Sequence, residues 1–187
     1  MATMHDNTDL PADATAVRLR VRYAETDAGG VVYHSRYLPW LEMGRTEWMR
    51  ARGYTYRQLE QMGLFLMVIE VHLYYRAPST YDDPIVLHAR LAEFGRVKVR
   101  FAYQVYNEET GRLLAEGETL HAFVGRDGRP IRLASQFPEV WARLQAVVRT
   151  TPGPDSEGDG NDGTTGAGRP AGDSRDGAPG GPGADFL

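Results

Sequence analysis

Tyr23-Ala-Glu-Thr-Asp27-Ala-Gly-Gly30-Val-Val-Tyr33-His34-Ser-Arg-Tyr37 is the stretch on which the fold and chemistry of this sequence turn. It joins an alternating segment on its N-terminal side to a helical one on its C-terminal side. Adjacent glycines let main chain come close to a ligand, a carboxylate stands beside them, and a helix start follows. The first turn of a helix leaves N–H groups unpaired and carries roughly half a unit of positive dipole charge. Donors of that kind hold a developing oxyanion, typically for about 10²–10³ in rate per donor. Asp27 beside them is the candidate to attack a carbonyl or to activate water.

Working outward, Val17, Leu19, Val21 and Tyr23 alternate with Arg18, Arg20 and Arg22, which predicts a strand with one wet face. Tyr37, Leu41, Gly44 and Trp48 recur at the helical period, with Pro39 in the first turn and Gly53 at the stop. Gly44 costs such a helix about 0.5–1 kcal/mol relative to alanine, a cost that close approach to a sheet would offset. Thr55-x-x-Gln58 is a capping-box pattern that opens a second helix reaching Met62-Gly63. The period then becomes two. Phe65, Met67, Ile69, Val71, Leu73 and Tyr75 are expected on one face of a strand, and Ile85, Leu87, Ala89 and Leu91 on the next. Val97 to Val105 and Leu113 to Val124 continue the series, with turns at Pro78 and Asp82-Asp83-Pro84, at Asn107 to Gly111 and at Arg126-Asp127-Gly128. Pro138 to Val147 predicts a closing helix. The expected class is α+β, a curved antiparallel sheet of about five strands wrapped around one long helix.

Composition bounds the alternatives. The chain has 187 residues, 42% of them apolar, which suits one domain with a real core. No cysteine is present, so disulfide scaffolds, thiol nucleophiles and cysteine-based zinc sites are excluded. Residues 1–15 are expected to be a flexible N-terminus, 16–147 the domain, and 148–187 a disordered acidic tail. From Thr151 onward lie 11 of the 21 glycines and 5 of the 11 prolines, with almost no large apolar residue to offset the entropy of ordering. The net charge of −4 divides into a mildly basic interior and acidic ends. Without a concentrated basic stripe there is no case for nucleic-acid binding. The N-terminus lacks the pattern of a secretory signal and no apolar run is long enough to cross a bilayer, so a cytoplasmic location is expected. His72, His88 and His121 fall on different expected strands and are read as structural, with no metal site. Phosphate-binding-loop, serine-hydrolase-elbow and metalloprotease patterns are missing.

The ordered run Asp-x-x-Gly-Val-Val-Tyr-His-x-x-Tyr, from Asp27 to Tyr37, resembles the signature of the hot-dog-fold acyl-CoA thioesterases. It is most similar to the 4-hydroxybenzoyl-CoA thioesterase family and its Tol–Pal-associated branch, and the helix carrying Glu42, Arg45, Thr46, Glu47 and Trp48 is similar too. The resemblance covers about residues 16–146. It implies Asp27 as the catalytic aspartate, His34 at the N–H that polarises the thioester carbonyl, and Tyr23 beside them, with Gly30, Val31, Tyr33 and Tyr37 lining the substrate. It implies acyl-CoA as substrate, an acyl carrier protein as another carrier of the same thioester, and no cofactor beyond the coenzyme A of the substrate. It also implies a place in lipid metabolism and a homodimer or homotetramer whose sheets join edge to edge.

Arg96, Lys98 and Arg100 are candidates to meet coenzyme A phosphates at a subunit boundary, and a solvated basic strand face explains them equally well. Asp27 as a turn cap and Tyr23 as a packing residue are the plainer readings of those two side chains. Ala24-Glu25 departs from the family pattern. Glu25 is expected to be solvated, Glu42 to pair with Arg45 or Arg36 on the helix surface, and Trp40 and Trp48 to be core. A hot-dog dehydratase or hydratase, and a non-catalytic acyl-thioester or acyl-carrier-protein binding module, are the competing functions.

Overall fold

The computed structural model describes residues 13–150, so residues 1–12 of the segment expected to be flexible and 151–187 of the tail expected to be disordered lie outside the described residues. In chain order the elements are β1 (Thr15–Arg20), α1 (Tyr37–Ala51), α2 (Tyr56–Met62), β2 (Phe65–Tyr75), β3 (Pro84–Phe94), β4 (Lys98–Asn107), β5 (Leu113–Val124), α3 (Leu133–Gln136) and α4 (Pro138–Thr150). The five strands form one sheet in the order β1-β3-β4-β5-β2, antiparallel at every pair.

The period-two pattern places the core where expected on the central strands. Leu87 pairs with Val105, Ala89 with Tyr103 and Leu91 with Phe101, and all six are buried with Trp40, Leu41, Trp48 and Met49 of α1. Gly44 lets α1 lie close to β3. A Cβ added there would stand 2.5 Å from Leu87 Cδ2 and 3.1 Å from Ala89 Cβ. The capping box of α2 forms as written: Gln58 N–H donates to Thr55 Oγ1 at 3.2 Å and Thr55 N–H to Gln58 Oε1 at 2.9 Å.

Two expectations need correction. The first strand stops at Arg20 rather than Tyr23. Val21 leaves the ladder to exchange main-chain hydrogen bonds with Asp82 and Asp83, and Tyr23–Glu25 becomes a 3₁₀ turn. In β2 the register shifts between Val68 and Glu70. Leu66 and Val68 share a face with Val71, Leu73 and Tyr75, while Phe65 and Met67 face the other way, because one extra residue reverses the alternation. Inside the segment expected to be flexible, Asp13 is buried and its carbonyl accepts from the Trp48 indole at 2.9 Å. The one-turn α3 leads into α4, whose Val140 and Leu144 enter the core while Trp141 packs on Phe94.

β2 is an edge strand. Met67, Val68, Ile69, Val71, Tyr74 and Tyr75 are 41–58% exposed along it, an unusual concentration of apolar surface on an edge.

Candidate active site

The segment between β1 and α1 folds into a short hairpin. Thr26 bridges to Val32, Asp27 N–H donates to the Val31 carbonyl at 2.9 Å, and Tyr33 N–H donates to the Glu25 carbonyl at 2.9 Å. Its tip is a turn closed by Gly30 N–H on the Asp27 carbonyl, with Gly30 at φ +75°. A side chain is strained in that conformation, which is why the second glycine is there. The loop from Ala77 to Asp83 supports the outer arm: Val32 N–H donates to the Ser79 carbonyl, Val31 bridges to Thr80, and the Asp83 carboxylate accepts from Ser79 Oγ and Thr80 N–H.

Asp27 is exposed. Its Oδ1 accepts from Gly29 N–H at 2.8 Å, which fixes the side chain, and its Oδ2 has no partner among the described residues. The turn-capping role and a reactive role therefore use different oxygens of one carboxylate. Residues 34–36 form a 3₁₀ turn that runs straight into α1. The N–H groups of His34 and Ser35 open it with no acceptor among the described residues, and the His34 carbonyl accepts from Tyr75 Oη at 2.8 Å. One short hairpin thus carries an oriented carboxylate and a pair of open amides.

Tyr23 is 78% exposed at the base of the hairpin, its ring edge-on to Tyr81 at 5.8 Å, so it is not a packing tyrosine. Gly30 and Tyr33 are exposed and Val31 half-buried on the hairpin itself. Tyr37 is 2% exposed between Trp40 and Tyr75, and burial, with Tyr75 and Asp83 nearby, pushes its hydroxyl up to about 12. It belongs to the core beneath the site.

Arg96, Lys98 and Arg100 are not brought to the hairpin within one chain. Lys98 pairs with Ala122, which pairs with Met67, whereas Tyr75 touches His34 from the other end of β2. Eight residues of strand separate the two ends, about 25 Å at roughly 3.3 Å per residue. Arg100 is engaged by Glu118 at 2.7 Å and Glu93 at 3.3 Å, and these carboxylates raise its already high pKa further. Arg96 and Lys98 are exposed, with no side-chain partner among the described residues.

Glu25 overturns its expectation. It is 3% exposed, not solvated. Its Oε2 accepts from Arg22 N–H at 2.8 Å, and its Oε1 from the Arg22 guanidinium at 2.8 Å and the Trp40 indole at 3.1 Å. Burial works against the carboxylate's charge, yet the bonds from Arg22 and Trp40 prevail and hold its pKa below the usual range. The readable signal was spacing: an acid three residues after Arg22 reaches back to that residue's N–H, as in a capping box. Its partner Trp40, 15 residues on, left no such trace. Glu42 is exposed without an ion pair among the described residues, and Arg45 instead donates to Tyr56 Oη.

Among the described residues no three His, Asp or Glu side chains cluster as metal ligands, and no helix is long and apolar enough to cross a membrane. His121 is fully buried beside Thr119, and burial, with the Arg45 charge nearby, pushes its pKa down to about 4.

Residues 21–149 match the sequence profile of the thioesterase-like superfamily. The acyl-CoA thioester hydrolase YbgC of Escherichia coli O6:H1 is 32% identical over 102 residues, covering 54% of this chain and 75% of that one. A DHNA-CoA thioesterase from Staphylococcus aureus superposes with a TM-score of 0.68 at 28% identity, covering 73% of this chain and 94% of that one. An Asp-to-Asn variant of 4-hydroxybenzoyl-CoA thioesterase, solved with 4-hydroxybenzoyl-CoA, superposes with a TM-score of 0.62. At 18% identity over 69% of this chain and 99% of that one, it bears on fold alone.

Proposed function

The chain belongs to the thioesterase-like superfamily and has its hot-dog fold, and from that premise we propose that it hydrolyses acyl-CoA thioesters to free acid and coenzyme A in the cytoplasm. The observation that carries the proposal is the hairpin, which orients Asp27 through one oxygen, leaves the other open, and delivers two unpaired amides at the start of α1. The thioester carbonyl sits against the His34–Ser35 amides, which stabilise the oxyanion as it develops. Tyr23 flanks the acyl or thiol side of the reacting centre.

Asp27 acts in one of two ways. As nucleophile it attacks the carbonyl carbon, expels the coenzyme A thiolate and forms a mixed anhydride that water cleaves. As general base it takes a proton from water, whose oxygen attacks the carbonyl carbon and expels the coenzyme A thiolate without a covalent intermediate. Label found in the Asp27 carboxylate after a single turnover in oxygen-18 water requires the covalent route, with water attacking the aspartyl carbonyl of the anhydride. Either way Asp27→Asn lowers kcat by about 10²–10⁴-fold in a folded protein. Near wild-type kcat would sink the assignment. It would also favour the binding-module alternative, for which the carboxylate is dispensable.

The active unit is a dimer built on β2. Its exposed apolar edge invites a second copy, and a two-fold contact pairs the two strands antiparallel. Antiparallel pairing sets the Met67 end of one copy beside the Tyr75 end of the other. The partner's free cations then approach the hairpin that its own chain keeps about 25 Å away. Arg96 and Lys98 are the residues to meet coenzyme A phosphates; Arg100 is held by Glu93 and Glu118. Mixing an Asp27→Asn chain with an Arg96→Glu/Lys98→Glu chain tests the shared site. Two inactive parents should give about a quarter of wild-type activity once subunits exchange. No recovery in a mixture shown to contain mixed dimers refutes it.

A further inference from the structure

Glu25 is the buried carboxylate closest in sequence to Asp27, and its bonds run to two different elements. Its side chain reaches the Trp40 indole in the first half of α1, and its main-chain carbonyl receives the Tyr33 amide from the second arm of the hairpin. Asp27 lies two residues further along the first arm. Trp40 is itself 1% exposed in the core, so it is a fixed point and not a side chain that follows the loop.

A buried carboxylate is a poor device for stability alone. Its desolvation has to be matched by several good hydrogen bonds, and an apolar side chain packed on Trp40 would hold the segment at least as well. Direction is what the carboxylate adds. Three donors converge on its two oxygens, one from main chain, one from a guanidinium and one from an indole, and together they fix the plane of the group. The Arg22 guanidinium lies mostly in water, so it neutralises the charge without anchoring the loop to anything. The Trp40 bond ties the hairpin's first arm to α1, the helix that the 3₁₀ turn with the open amides runs into.

We propose that Glu25, through Trp40, is a positioning residue that sets the Asp27 carboxylate relative to the amides of the His34 turn. The inference rests on the reading of Asp27 as the catalytic group. Catalytic geometry is steep in distance: a misplacement of about 1 Å is associated with roughly 10²-fold in rate. A loosened clamp therefore lowers kcat while leaving the substrate contacts, and hence KM, nearly as they were.

Trp40→Phe removes the indole N–H and keeps an aromatic ring in the core; Glu25→Gln turns an amide NH₂ toward at least one of the three donors. In the proposed dimer both variants should lose about 10–100-fold in kcat with KM for an acyl-CoA within about twofold. Circular dichroism and thermal melts, with assays about 15 °C below each melting point, establish that the loss is not unfolding. If Glu25→Gln does not fold, Trp40→Phe decides by itself. An Asp27→Asn control is assayed alongside. If that control is inactive while folded Trp40→Phe keeps kcat within twofold of wild type, the clamp has no catalytic role and the Asp27 reading stands. A rise in KM that accounts for the whole loss of kcat/KM also overturns the inference, since it would make the clamp part of substrate binding. Full turnover in Asp27→Asn overturns the reading beneath it, whatever Trp40→Phe does.

Discussion

Gly44→Ala is a one-atom-group change whose sign the structure decides. An exposed helix would gain about 0.5–1 kcal/mol from it, because alanine restricts the unfolded chain more than glycine does. Here the new Cβ meets Leu87 Cδ2 at 2.5 Å and Ala89 Cβ at 3.1 Å. Leu87 is fully buried and has no solvent to turn into, and the Ala89 Cβ is fixed to the main chain of a central strand. Relief has to come from α1 rising off β3 or from Leu87 leaving its rotamer, and overpacking of this kind typically costs about 1–3 kcal/mol. The net expectation is a loss of about 1–2 kcal/mol, or a melting temperature lower by about 3–6 °C for a domain of this size. Urea and thermal unfolding measure it directly. Leu87→Val in the same background shortens the colliding side chain, so the double variant should be more stable than the sum of the singles predicts by at least about 0.5 kcal/mol. A melting temperature that rises in Gly44→Ala, or strict additivity in the cycle, refutes close approach as the reason for this glycine.

Gly117→Ala should be harsher. Its Cβ would lie 2.1 Å from the His72 carbonyl oxygen and 2.9 Å from Leu73 Cα, both main-chain atoms of β2, so the edge strand must part from β5. Loss of the proposed dimer by sedimentation and a destabilisation of about 3 kcal/mol or more are expected; an intact dimer with an unchanged melt contradicts both. His121 makes stability depend on pH. Its pKa falls from 6.5 to about 4 on folding, so the folded state keeps it neutral. The associated stability is complete above about pH 6.5 and is lost as pH falls toward 4, to an extent of about 3 kcal/mol. The difference in urea-unfolding free energy between wild type and His121→Gln should shift by that amount between pH 7.5 and pH 4. A pH-independent difference sinks the account.

Much of this architecture is legible in the sequence because it rests on local rules. Period-two alternation placed the buried faces of β3 and β4, and the Thr55–Gln58 box and Gly63 bounded α2 to the residue. The Asp27–Tyr37 run marked the candidate site because adjacent glycines and a helix start leave few conformations open. What stayed hidden depends on pairings between distant segments. The bulge in β2 exists only against β5, and it moved half of the expected apolar face to the other side. Glu25 looked like a surface acid because nothing near it in sequence announces Trp40. Tyr75 looked like one more residue of an alternating strand until its hydroxyl met the His34 carbonyl. Arg100 read as one of three equivalent cations until Glu93 and Glu118, on neighbouring strands, claimed it.

Two of these hidden contacts, Glu25 with Trp40 and Tyr75 with His34, bear on one physical problem. A hairpin tipped by adjacent glycines has high conformational entropy, yet a nucleophile or base must hold its place within a fraction of an ångström. The chain meets both demands by leaving the tip glycine-rich and restraining the arms and base beneath it. The Ser79–Asp83 loop pairs with Val31 and Val32, the Glu25 carbonyl closes the base, and Tyr75 holds the His34 peptide from the edge strand. The main chain can then approach a thioester closely without the carboxylate losing its bearing. It also explains why the candidate site lies at the end of β2 and not in the middle of the sheet. There the restrained hairpin lies against the apolar β2 edge, where the proposed second copy would bring the cations proposed to meet coenzyme A and exclude the water that would otherwise screen an exposed carboxylate.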